Sequence, residues 1–229
     1  VERMPPHARR VLQAIAVIGD NATDAAVSRM VQGGVDVAAA IVTLEQAGMI
    51  AFGSFDYLGG GAASTDGYRT THPLLRDIVL ATIPVAVRKE LHAAAAEALE
   101  EQGAPLEARA IHEFYAENSF QALFLLEQVS VKAAERGDLT GTINALRRGL
   151  ELARKELFRG ELDDPMHAVL IFARKLGEAL CSAGDYTDAE GVLREPQTHL
   201  GSRGVPRDSE LGAADLLPTK EIADCLDCL

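Results

Sequence analysis

The chain reads as mostly α-helical: three short helices and a β-hairpin, then helices in pairs. Three observations predict this. Apolar residues recur at helical spacing through most of the 229 residues. Alanine and leucine carry the core, aromatics are only 5% and tryptophan is absent, which suits closely packed helices. Before the tail, the helical period fails around Met49–Phe52 and Tyr68–Thr71, two β-like runs separated by GSFDYLGGGAASTDG, a loop rich in glycine, serine and alanine.

The elements follow in order. Pro5-Pro6 starts a helix through PPHARRVLQAIAVIG, with Val11, Leu12, Ile15 and Ile18 on one face and Gly19 as its end. Thr23 or Asp24 caps a second helix with Ala26, Val27 and Met30 inward, and Gly33-Gly34 breaks it. A third runs from Val35 to Ala47, with Val37, Ala40, Ile41 and Leu44 inward, and Gly48 stops it. After the second β-like run, Pro73 opens a helix whose expected inner stripe is Leu74, Leu75, Ile78, Val79 and Ile83. Pro84 and Pro105 start the next two helices, and Ser119 caps the one after them. Leu139–Leu157, Pro165–Ala183 and Tyr186–Arg194 complete the helical part. Residues 196–229 are poorly periodic and read as an irregular tail with one short helix from Thr219.

Two of the later helix pairs look alike. Gly137-Asp138-Leu139 and Gly184-Asp185-Tyr186 each make a tight turn between antiparallel helices, with a small residue, Thr142 or Ala189, five positions after the glycine. Similarity at a spacing of tens of residues marks a helical solenoid. The expected domains are therefore 1–84, 85–195 and the tail 196–229.

Composition excludes several classes. The formal net charge is −12, and it divides as −2 over residues 1–85, −2 over 86–160 and −8 over 161–229. No segment carries the basic footprint of a nucleic-acid binder. The third helix, VDVAAAIVTLEQAG, offers only Thr43 and Gln46 to base edges and holds Asp36 and Glu45, so nucleic acid is not the expected partner. No run reaches the length of a membrane helix, and the N-terminus lacks the apolar core of a signal peptide, so a membrane partner is not expected. Three cysteines, Cys181, Cys225 and Cys228, imply no disulfide framework and suit a cytoplasmic setting. The Cys225-Leu-Asp-Cys228 pair lacks two further ligands for zinc, so no metal site is expected. No catalytic set suggests itself: His92, His112 and His167 lie far apart on helices, and Glu100-Glu101 and Asp163-Asp164 read as solvated charge. Gly59-Gly60-Gly61 is not a P-loop, since no lysine follows it.

The order helix, helix, helix, strand, loop, strand is that of a winged helix, with the loop as its wing. Leu176-Gly177, Leu180, Gly184-Asp185-Tyr186, Ala189 and Leu193 resemble a tetratricopeptide (TPR) repeat, with Ala173 at the tryptophan-like position. With MPPHARRVLQAIAVIG, LEQAGMIAF, YRTTHPLLRDIVLATI and RKELHAAAAEALE, the chain over roughly residues 3–195 resembles the middle of bacterial STAND-type signalling ATPases, including MalT-like transcription regulators and kinase-linked versions. The resemblance implies a mostly α arm: a small winged-helix domain followed by a TPR-like solenoid. It implies a non-enzymatic regulatory segment of a longer protein. Cofactors are none here, with ATP or ADP held by an upstream ATPase domain. The partners implied are that domain and a protein or inducer on the concave face of the repeats. His72 lies where related proteins place a histidine against the β-phosphate of ADP, although Thr71 and Pro73 differ from the usual neighbours. Its other reading is a cap of the Pro73 helix. The alternative to the whole scheme is a stand-alone DNA-binding winged-helix regulator with a helical-repeat dimerisation or adaptor region.

Overall fold

The computed structural model describes residues 4–31, 33–55 and 65–201. Most of the wing loop, the tail beyond Gly201, the helix expected from Thr219, and Cys225 and Cys228 lie outside the described residues. The chain is mostly helical with one two-stranded antiparallel sheet. It forms two compact units, divided between Asn118 and Ser119.

The first unit is built around α1 (Pro6–Ile18). From Ala14 to Ile18 every residue is buried, so this helix is enclosed rather than one-sided. It packs against α2 (Asp24–Met30), α3 (Val37–Gln46), α4 (Pro73–Thr82), α5 (Val85–Glu101) and strand β2 (Thr65–Thr70). Local capping fixes the short helices. Ala26 N–H donates to Thr23 Oγ1 at 3.1 Å, and Ala39 N–H donates to Asp36 Oδ1 at 3.0 Å. Ala40, Ile41 and Leu44 of α3 are buried as their spacing predicts.

β1 (Ile50–Phe55) pairs antiparallel with β2, Ile50 opposite Thr70 and Phe55 opposite Thr65. Gly53–Phe55 and Thr65–Gly67, expected to be loop, therefore extend the hairpin. Ala22 adds a bridge on the free edge of β2: its N–H donates to Tyr68 O at 3.0 Å, and Tyr68 N–H donates back at 2.9 Å. Gly67 permits this approach, because a Cβ there would lie 2.9 Å from the Asn21 carbonyl carbon.

One expectation needs correction. In α4 only Val79 is buried, with Ile83 just beyond the helix; Leu74 and Ile78 are 59% and 47% exposed. Periodicity located an apolar stripe, but α1 covers only its Val79 edge. The first compact unit runs past residue 84 to Asn118. Ala95 and Ala98 of α5 belong to the same core as Leu12 and Leu44, and α6 (Leu106–Ala116) packs on α5. These two helices thus complete the first unit.

The second unit holds α7 (Ser119–Glu135), α8 (Leu139–Arg159), α9 (Pro165–Ala183) and α10 (Tyr186–Gly201), each packed on its sequence neighbour. α10 runs through Pro196, past its expected end at Arg194. Both Gly-Asp turns close in the same way. Gly137 and Gly184 take φ of +74° and +80°, and the following Asp N–H reaches back to Ala133 O or Leu180 O at 2.9 Å. The same aspartate then caps the next helix: Gly141 N–H donates to Asp138 Oδ1 at 2.8 Å, and Asp188 N–H to Asp185 Oδ1 at 3.2 Å. Thr142 and Ala189 are buried.

Candidate functional site

His72 stands exposed at the N-terminus of α4. Its Nδ1 accepts from Leu74 N–H at 3.1 Å, so the side chain caps the helix. That bond fixes the neutral tautomer with the proton on Nε2, which is left as a donor. Beside it, Thr71 Oγ1–H donates to Gly48 O at 2.8 Å and ties the end of the hairpin to the turn after α3. The exposed residues of α3 are Ala38, Ala39, Val42, Thr43, Glu45 and Gln46, and none is a cation.

In the second unit α7 and α9 face one another across a groove. One end is a cavity of about 390 Å³ reaching Val131, Thr142, Lys175 and Ala179. The other, of about 330 Å³, is lined by Phe120, Phe124, Asp163, His167 and Ile171. Lys175 and Glu127 join α9 to α7 at 2.6 Å, and each lines one of the two cavities. Phe120, Phe124 and Val131, at helical spacing on α7, are 71%, 51% and 46% exposed. The Phe120 end carries Glu127, Asp163 and Asp164 and neither lysine nor arginine. Asp164 caps α9 through His167 N–H at 3.0 Å.

No family model, curated protein or solved structure matches the chain. Among the described residues no group of three or more His, Cys, Asp or Glu could hold a metal ion, and no helix is long and apolar enough to cross a membrane.

Two of the three histidines set aside from the sequence come together. His92 of α5 and His112 of α6 are buried, with their Nδ1 atoms 3.0 Å apart. The Ile18 carbonyl at the end of α1 lies beside His112. Of the two facing Nδ1 atoms one donates and the other accepts, so the pair shares a single proton. Tyr115 lies against His92 with ring centroids 5.0 Å apart. Arg76 Nε–H donates to Ala16 O at 2.8 Å, so a guanidinium satisfies one of the last carbonyls of α1. Sequence reasoning missed this pair because its members are 20 residues apart across a helical hairpin. A signal existed, one histidine near the middle of each helix, but pairing them needs the hairpin register.

Burial pushes both imidazoles down, His92 to about 4 with help from Arg88 and Arg76, and His112 to about 3 with help from His92 and Arg76. The unfolded chain titrates these groups near 6.5 (roughly the ordinary histidine value). Below that pH it binds protons that the folded pair excludes. The contribution is complete above about pH 6.5 and declines as pH falls towards 4. The thermal unfolding midpoint of the first unit should drop by several degrees between pH 7 and pH 4.5. A double variant His92→Phe, His112→Leu should show a flatter profile over that range. An equally steep profile in the double variant would refute the assignment.

Proposed function

We propose that this chain is a non-catalytic regulatory and protein-interaction arm of a larger, cytoplasmic, ATP-dependent signalling or transcription-regulating protein. In this reading residues 4–83 form a winged helix beside an upstream nucleotide-binding domain, and α7–α10 form TPR-like repeats that bind a partner. The observation that carries the reading is the α7–α9 groove, along which α7 presents the exposed apolar stripe of Phe120, Phe124 and Val131. Large exposed apolar patches mark interaction sites. The three-helix and hairpin order, with Ala22 bridging β2, supports the winged helix. The acidic lining at the Phe120 end favours an amphipathic segment flanked by Lys or Arg.

Two tests apply. Amphipathic basic peptides should bind this chain, and Phe120→Ser with Phe124→Ser should weaken them at least tenfold, about 1.4 kcal/mol or more. The helical circular dichroism should not change, because both rings are largely exposed. Binding that ignores these substitutions, or prefers acidic peptides, would sink the groove assignment. The reading frame upstream tests the rest. A P-loop domain there supports the signalling arm, and His72→Ala should then loosen ADP retention by the parent protein. A frame without a nucleotide-binding domain leaves only a helical adaptor.

A further inference from the structure

A cleft of about 250 Å³ opens in the first unit beside the histidine pair. Its walls come from the end of α1, the turn that follows, and α4, α5 and α6. Part of the floor is apolar, from Val17, Leu99 and Ile111. The polar residues are of opposite kinds. Arg76 brings a guanidinium that uses one N–H on Ala16 O and is in no salt bridge among the described residues. Asp20 and Glu107 bring carboxylates. Asn21 also lines the cleft; it is 2% exposed, and its Oδ1 is buried without a donor.

A buried amide oxygen without a donor is costly, about 1–3 kcal/mol, and points to a group that would satisfy it. Asn21 is held in place by more than its side chain. Its φ is +71°, a conformation asparagine tolerates better than most residues, and its backbone is pressed against Gly67. The backbone that carries this amide is therefore held in place. Arg76 is likewise fixed, anchored on Ala16 O and lying over Gly19, whose missing side chain leaves room for it.

We infer that this cleft binds a small zwitterion, an α-amino acid with a short apolar side chain. The carboxylate pairs with the free guanidinium N–H groups of Arg76. The ammonium donates to Asn21 Oδ1 and faces the carboxylate of Asp20. The side chain lies on the Val17–Leu99–Ile111 floor. The size agrees, since about 250 Å³ holds roughly eight water-sized groups at about 30 Å³ each. A simple anion would leave Asn21 unsatisfied and meet the carboxylate of Asp20. A simple cation would meet Arg76. The inference does not depend on the signalling reading above, because it is argued from the cleft's own side chains.

The test is calorimetric titration of this chain with L-valine, set against isobutyrate and isobutylamine, which each lack one charged end, and inorganic phosphate. L-valine should bind saturably, and each single-ended analogue at least tenfold more weakly. Arg76→Gln and Asn21→Gly should each weaken L-valine at least tenfold. The second keeps a residue that accepts positive φ, and unchanged circular dichroism confirms that both are folded. Isobutyrate or phosphate binding as well as L-valine would show an anion site and overturn the proposal. So would L-valine binding that both variants leave intact, or no saturable binding of any of the four.

Discussion

Replacing Glu156 by alanine is expected to destabilise the second unit by about 3–5 kcal/mol, the usual cost of removing one partner from a buried charged network. Glu156 is 0% exposed, yet it is a carboxylate. Its Oε1 accepts from Ser119 Oγ–H at 2.5 Å, its Oε2 accepts from Glu161 N–H at 3.3 Å, and Arg159 lies 3.7 Å away. One side chain thus fastens the start of α7 to the end of α8 and to the turn beyond Gly160. Alanine would leave Ser119, itself buried, without its acceptor and open a cavity around it. Glu156→Gln keeps the volume and an acceptor for Ser119, and should cost less than half as much. Urea unfolding of the three proteins decides the matter. If glutamine proves as damaging as alanine, the charge and its approach to Arg159 matter more than the hydrogen bonds.

The second large effect is expected at Gly149. A methyl group there would enter the ring of Phe172; even the third-nearest ring atom, Cζ, would lie 2.7 Å away. Phe172 is buried on α9, at the wall of the cavity that Phe120 and Phe124 line. Overpacking of this kind costs typically 1–3 kcal/mol and occasionally more. Alanine returns about 1 kcal/mol of helix propensity in the middle of α8. The net loss should be about 1 kcal/mol, in the direction opposite to an ordinary exposed glycine-to-alanine change. Shrinking the ring with Phe172→Leu should relieve it, so the double variant should lose less than the sum of the singles by about 1 kcal/mol. Strict additivity would mean that α8 and α9 part freely at this crossing.

What could be read from the sequence was what local chemistry decides. The Gly-Asp turns at residues 137–138 and 184–185 were legible because a positive φ and an N-cap are settled within a few residues. The buried faces of α1 and α3 followed from spacing for the same reason. The α4 stripe was half wrong, since spacing says which residues share a face but not how much of that face a neighbour covers. The extent of the first compact core was not legible, because Pro84 marks a break in a helix while the core continues through Ala95 and Ala98. The His92–His112 pair and the Glu156 network are long-range contacts of polar groups, and periodicity carries no information about them. Gly149 gave no signal of its own. A mid-helix glycine looks like weakened propensity until the ring that fills its space is known.

The packing order of α7 to α10 has a consequence for how that unit is assembled. Each helix rests on its chain neighbour, so nearly all of its contacts are short in sequence. Loop closure between such neighbours is entropically cheap, and chains of this kind fold fast. A stack of helices held by nearest-neighbour contacts also loosens from an open end rather than all at once. α10 packs on α9 and is also pinned to α8 by the ion pairs Arg147–Asp188 and Arg154–Glu195, so fraying from that end has to break these first.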